Sequence, residues 1–216
     1  MTHDDHAAGH HDHAHPTEPD RAEEIGYHQR LGAAVRDLLV EKGVLTADAV
    51  RRQIEKMDSR SPAIGARVVA RAWTDPAFKA RLLADGSAAC AELGFVGPEG
   101  DTIRVVENTD AVHNMVVCTL CSCYPWPLLG LPPIWYKSFA YRSRAVAEPR
   151  GVLREFGLEL DPAVEVRVWD SSAEVRYLVL PQRPTGTEGL TEDQLAELVV
   201  RDSMIGTALA AAPASA

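Results

Sequence analysis

Long hydrophobic runs are missing from this sequence. No window of its 216 residues approaches the roughly 18–20 consecutive apolar residues that span a bilayer, so a membrane-embedded chain is not expected. A cationic start followed by an apolar stretch is missing too, and the expectation is a cytoplasmic protein rather than a secreted one. Positive charge is in deficit: 22 Lys and Arg against 31 Asp and Glu give a formal net charge of −9. Nucleic-acid binding needs a basic face for phosphates, so that function class is set aside. Cysteine is scarce, with 4 residues, too few for a disulfide scaffold of this length. What is present, 46% hydrophobic and 25% charged residues, suits one globular domain with an arm.

Two scarce residue types are unevenly spread. Six of the eight histidines (His3, His6, His10, His11, His13 and His15) lie in the first fifteen residues. Residues 1–20 show no apolar periodicity and are expected to be a disordered tail, loosely metal-binding at most. Residues 21–60 read as a helical arm. Leu31, Val35, Leu38 and Leu39 recur at helical spacing, and Thr46 is placed to cap a second helix carrying Val50, Ile54 and Met57. Each helix has one narrow apolar face, as suited to a partner subunit as to the chain's own core. Residues 61–207 are expected to form the main domain, and 208–216 a loose tail. In that domain Asp75-Pro76 restarts a helix. Thr102–Glu107 and Asn114–Val117 read as strands, and Trp135 to about Ala147 as one helix. Val164, Val166 and Val168, then Val175, Tyr177 and Val179, alternate across a Ser-Ser turn and predict an antiparallel hairpin. Thr191 with Gln194 is a capping box opening a last helix through Val199. Helices first, then strands mixed with helices, give an α+β class.

The other three-quarters of the cysteine falls in one six-residue run, Cys118-Thr119-Leu120-Cys121-Ser122-Cys123. Thiolates are soft ligands for late transition metals. Cys118 and Cys121 are spaced to reach one ion, and the single residue between Cys121 and Cys123 brings the backbone N–H groups of Ser122 and Cys123 towards it. A zinc site would recruit a second Cys or His pair, and only Cys90, His28 and His113 remain outside the tail. A thioredoxin-like dithiol would need a βαβ setting that is not evident. Three small buried residues are the plain alternative, yet three clustered thiols without a purpose are an oxidation hazard.

The run resembles the metal claw of the nitrile hydratase α subunit. The likeness continues through Tyr124-Pro125-Trp126-Pro127, Gly130-Leu131-Pro132-Pro133, Trp135-Tyr136-Lys137, Glu148-Pro149-Arg150, Val168-Trp169-Asp170-Ser171-Ser172 and Leu180-Pro181-Gln182-Arg183-Pro184. Upstream, Ala72-Trp73-Thr74-Asp75-Pro76 and Val106-Glu107-Asn108-Thr109 also match, so the likeness spans roughly residues 20–206.

The resemblance implies a fold, an N-terminal helical arm followed by a layered α/β/β/α core. It implies a hydro-lyase that converts nitriles to amides. One low-spin Co3+ per chain would be held by the sulfurs of Cys118, Cys121 and Cys123 and by the amide nitrogens of Ser122 and Cys123. Thr119 matches the cobalt branch, where the iron branch carries Ser. Cys121 would be a sulfinic acid, Cys123 a sulfenic acid and Cys118 a thiolate. Cys123, Ser122, Trp126 and Asp170 are the implied catalytic set, with Trp126 in the substrate pocket and Asp170 beside the claw. Either metal hydroxide or the Cys123 sulfenate would attack the nitrile carbon. The resemblance also implies a β subunit, in a heterodimer or heterotetramer, whose arginines bond the oxygenated sulfurs, and a small activator protein that loads cobalt.

Bland readings stand beside the sharp ones. Trp126 could be a core aromatic and Asp170 an Asx-turn residue. Arg176 is placed either to hold the claw or the subunit interface, or on a solvated strand face. Glu99 departs from a glutamine expected near the metal. Cys90 reads as a buried structural thiol, and His113 as a polar strand-end residue. The rival functions are a thiocyanate hydrolase-like cobalt subunit and a non-catalytic metal-binding or thiol redox module. A leader-peptide relative without catalysis would have no need of three sulfurs.

Overall fold

A computed structural model describes residues 26–95 and 102–213, and the chain divides into two units, residues 1–50 and 51–216. The histidine tail and Glu99 lie outside the described residues. In the first unit, α1 (Tyr27–Glu41) buries no side chain. Its apolar row Tyr27, Leu31, Val35 and Leu38 is exposed along its length. α2 (Ala47–Asp58) begins in this unit, and Thr46 caps it as expected, Oγ1 accepting the Ala49 N–H at 3.0 Å.

The second unit opens on α3 (Pro62–Thr74), whose Ala66, Val68, Val69, Ala70 and Ala72 are buried. Asp75 then ends one helix and starts the next. Its carboxylate accepts the N–H groups of Ala77 and Phe78, both at 3.0 Å, opening α4 (Pro76–Ala84), and these bonds hold its pKa below the usual carboxylate range. Asp85 repeats the device for α5 (Gly86–Glu92) by accepting the Ala88 N–H. There follow β1 (Thr102–Glu107), β2 (Val112–Val117), α6 (Trp126–Leu129), α7 (Ile134–Lys137), α8 (Phe139–Ala147) and α9 (Pro149–Glu155). The chain ends on β3 (Glu165–Asp170), β4 (Val175–Leu180), α10 (Glu192–Glu197) and α11 (Arg201–Ile205).

The strands form two parallel pairs, β1 with β4 and β2 with β3. The expected antiparallel hairpin is therefore corrected: β3 and β4 do not pair with each other. A short polar turn between two alternating segments is also the signature of a corner that carries the chain from one sheet to the other. Here Ser171 to Glu174 make that corner, the Ser171 N–H bonding the Val117 carbonyl at 2.7 Å to finish the β2–β3 ladder. α4 and α5 pack on β1, and α8 and α9 on β2 and β3, so helices cover two small sheets from outside. This is the expected α/β/β/α layering of an α+β fold. The helix expected over Trp135–Ala147 is split, and the last expected helix, through Val199, is shorter than expected. Ser138 breaks 134–147 by capping α8, its Oγ accepting the Tyr141 N–H at 3.1 Å. The last helix stops at Glu197, and α11 starts afresh and ends at Gly206 with φ +90°.

Where α11 ends, a buried polar knot ties it to β2. Gly206 has no Cβ, and one built there would lie 1.9 Å from the Asn114 carbonyl oxygen. The Gly206 carbonyl can only accept, so His113 Nε2 carries a proton towards it at 2.8 Å, and Nδ1 accepts from the Asn108 amide at 3.3 Å. Asn108 Oδ1 accepts both the backbone and side-chain N–H of Asn114, and Asn114 Oδ1 accepts the Trp169 indole at 2.8 Å. His113 is thus a buried strand residue in its neutral form, its pKa lowered by burial, with the bond to Gly206 opposing in part. An imidazole whose folded pKa is depressed adds no penalty above its ordinary value. Below about pH 6.5 the unfolded chain takes up a proton that the fold refuses, so stability falls with pH until the lowered pKa is passed. Melting temperature followed from pH 8 to 5 is expected to drop more steeply for the natural chain than for His113→Gln. Parallel curves would contradict this role.

Candidate metal centre

β2 delivers the first cysteine. Its last rung pairs Val117 with Asp170 at the end of β3. Cys118 follows and is 1% exposed. The chain then doubles back, so that the Cys121 N–H points at Cys118 Sγ at 3.3 Å. Cys118 and Cys121 sulfurs are 3.4 Å apart, those of Cys121 and Cys123 3.2 Å, and all three lie within 4.8 Å of one another. All are free thiols. The spacing of the sequence is therefore enough to bring three soft donors to one point, and among the described residues this is the grouping of Cys, His, Asp and Glu that could hold an ion.

The thiols are not alike. Hydrogen bonds from the Cys123 and Cys118 thiols, and from the Ser122 and Cys123 backbone N–H groups, pull Cys121 down to about 7. Burial first, and then its bonds with Cys121 and Cys118, push Cys123 up to about 12, while the charge of Arg176 opposes this. Cys121, the middle sulfur, is thus the more acidic of these two. Cys90 stands apart in α5, buried and raised to about 12, which makes it an inert core thiol.

The claw is held from several sides. Asp170 Oδ1 accepts the Thr119 N–H at 2.9 Å, and Oδ2 the Thr119 hydroxyl at 2.6 Å. Arg142 of α8 donates to the Thr119 carbonyl at 3.3 Å. Tyr141 and Tyr136 place their hydroxyls on the carbonyls of Val116 and Cys123, at 2.7 and 2.8 Å. Arg176 donates to the Ser172 carbonyl at the neighbouring corner. Trp126 opens α6 three residues beyond the claw, half-buried, with the Arg60 guanidinium 3.8 Å over its ring. Arg142, Tyr136 and Tyr141 were not singled out by sequence reasoning. Their residue types carry no metal chemistry, and only the fold aims them at the loop.

The claw itself faces out of this chain. Leu120 is 89% exposed, and Cys121 and Ser122 are exposed beside it. Leu131, Ile134 and Phe139 add exposed apolar side chains in the segments that follow. A metal centre working in a low-dielectric site needs that face covered.

The family "Nitrile hydratase, alpha chain" matches residues 27–208. The low-molecular weight cobalt-containing nitrile hydratase subunit alpha of Rhodococcus rhodochrous is 58% identical over 184 residues, covering 85% of this chain and 89% of that one. Among solved structures, a double mutant of the Fe-type nitrile hydratase from Comamonas testosteroni has a TM-score of 0.80 at 43% identity, over 88% of this chain and 92% of that one. A thiocyanate hydrolase variant has a TM-score of 0.80 at 44% identity, over 87% and 91%.

Proposed function

This chain belongs to the nitrile hydratase α-chain family, and from that premise we infer how its residues share the work of the enzyme. It is the α subunit of a cobalt nitrile hydratase, which adds water to R–C≡N to give R–C(=O)NH₂ together with a β subunit. The observation that carries the metal assignment is the convergence of three sulfurs within 4.8 Å. That donor set fits cobalt: it is soft and anionic once deprotonated, and needs no ligand from elsewhere in the chain. Cys118, Cys121 and Cys123 would hold the ion through sulfur, and Ser122 and Cys123 through their backbone nitrogens. Bound there, trivalent cobalt would supply a Lewis acid that polarises the nitrile.

The remaining roles belong to the chain. Cys121, pulled down to about 7 by its thiol and amide neighbours, gives up a proton near neutral pH. Both oxygens of Asp170 are engaged by Thr119, so Asp170 orients the claw. Trp126, one face stacked on Arg60, offers an apolar wall for the nitrile side chain. Cys121 matures to a sulfinic acid and Cys123 to a sulfenic acid, whose oxygens need donors from the β subunit. The exposed row Tyr27, Leu31, Val35 and Leu38 on α1 lies against that subunit. A cytoplasmic setting and an activator protein for cobalt loading complete the reading. Among the described residues no helix is long and apolar enough to cross a membrane.

The co-expressed α/β complex is expected to carry about one cobalt per α chain and to hydrate acrylonitrile in preference to hydrolysing thiocyanate, with intact-peptide mass giving the oxidation state of the 118–123 segment. A metal-free complex with full activity would overturn the assignment. Preference for thiocyanate would move the chain to the other enzyme on this scaffold, which the higher identity to the nitrile hydratase disfavours.

A further inference from the structure

We propose that the Tyr136 hydroxyl is a positioning group for the metal centre: it fixes the peptide that follows Cys123, and with it the direction of the Cys123 sulfur, while Tyr141 fixes the strand end that delivers Cys118. The proposal rests on the cobalt reading above.

The claw has two ends, and each is tied by a phenol. Tyr141 Oη–H bonds the Val116 carbonyl at 2.7 Å, two residues before Cys118. Tyr136 Oη–H bonds the carbonyl of Cys123 itself at 2.8 Å. The two rings lie 5.7 Å apart and pack with Trp135, which is 6.0 Å from Tyr136 and 4.9 Å from Tyr141. One rigid aromatic cluster therefore sets the span between the points where the loop leaves β2 and where it ends. A tyrosine suits this task, because two torsions and a packed ring fix its oxygen, whereas a longer flexible donor would follow the loop.

Tyr136 is itself held. It is fully buried among the rings of Tyr124, Trp135 and Tyr141. Ser171 is buried at the corner after β3, with its N–H on the Val117 carbonyl and its Oγ accepting the Tyr177 N–H. The claw is thus gripped from two places: the corner holds Thr119 through Asp170, and α7 holds Cys123 through Tyr136. Burial raises both phenol pKa values well above the ordinary range, so the hydroxyls stay neutral donors at any working pH.

Tyr124 supplies an internal control. It follows Cys123 directly, is 2% exposed, and its ring stands 5.1 Å from that of Tyr136. Its hydroxyl has no hydrogen-bond partner among the described residues. It shares the aromatic packing of Tyr136 without the bond to the claw.

The test uses co-expressed α/β complexes carrying Tyr136→Phe, Tyr124→Phe or Tyr141→Phe. Cobalt content, sulfur-to-cobalt charge-transfer absorption, melting temperature and steady-state kinetics are read for each. Tyr136→Phe is expected to shift the absorption band and to lower kcat about tenfold with KM little changed, since a small misplacement of a reacting group falls on kcat. Tyr141→Phe, which frees the other end of the claw, should also shift the band, and Tyr124→Phe should leave it in place whatever its melting temperature. An unshifted band in Tyr136→Phe overturns the proposal, as does a Tyr124→Phe shift of equal size, which would make ring packing the cause. If Tyr136→Phe does not fold, an unshifted band in Tyr141→Phe overturns it instead. A wild-type complex that hydrates nitriles without cobalt removes the premise and the proposal together.

Discussion

Replacing Cys118 by Ser in the α/β complex is expected to reduce bound cobalt to a trace and nitrile hydration by roughly 10³-fold or more. Loss of a residue that only supports a metal ligand already costs about 10–100-fold, and a ligand itself matters more. Ser is close to Cys in size, so the buried position keeps its packing, and the Cys121 N–H keeps an acceptor in place of the sulfur it now meets at 3.3 Å. What is lost is the soft anionic donor, because a serine hydroxyl does not ionise near neutral pH and is a poor partner for a late transition metal. Elemental analysis of the purified complex and acrylonitrile turnover measure the two losses. Cys90→Ser is the matched comparison: its thiol is buried in α5, and it should keep full cobalt. A Cys118→Ser complex with normal cobalt content would show that the claw is not the site.

The second large effect lies in the fold. Gly206→Ala is expected to destabilise the chain by more than about 4 kcal/mol and to remove it from the soluble fraction, because an unavoidable backbone collision is among the few causes of losses that large. The added Cβ would meet the Asn114 carbonyl oxygen at 1.9 Å and the Met115 Cα at 2.9 Å, both backbone atoms that no rotamer change can move. The positive φ adds strain of its own, and the shift would break the His113 bond to the Gly206 carbonyl. Gly157 separates the two causes. It also has positive φ, at 79°, but nothing lies within 4 Å of its Cβ position, so Gly157→Ala should cost only about 1–2 kcal/mol. Soluble yield and melting temperature of the two complexes give the comparison. A folded Gly206→Ala chain melting as Gly157→Ala does would refute the close packing of α11 on β2.

Much of the molecule was readable from local chemistry. Asp75 announces its helix, Thr46 and Thr191 their caps, and β1 lies at Thr102–Glu107 where it was expected. The three sulfurs could be grouped because the metal site is written in six consecutive residues. What failed was long-range. Nothing between Val164 and Val179 says whether two alternating segments pair with each other or with strands met 53 and 73 residues earlier, and the corner at Ser171–Glu174 uses the same residue types as a hairpin turn. Ser138 hides a helix break inside a pattern that keeps its apolar period. The residues that hold the claw were unreadable for a related reason. Tyr136, Tyr141 and Arg142 act through a hydroxyl or guanidinium on a backbone carbonyl, and a carbonyl is present at every position, so no spacing betrays the contact. Asp170 was singled out only through the resemblance. Its part is visible once Val117 and Asp170 are seen to share a rung.

That shared rung also sets an order in time. Thr119 and the carboxylate that holds it are 51 residues apart in the chain. At ribosomal speeds of about 5–20 residues per second, roughly 3–10 s pass between the synthesis of the claw and that of its anchor. Parallel partners so far apart close slowly even afterwards, since the loop entropy is lost before the pairing compensates it. A newborn subunit therefore holds three loose thiols for seconds before it has the frame to arrange them, and the finished geometry is a property of the completed chain rather than of the six residues that carry the sulfur.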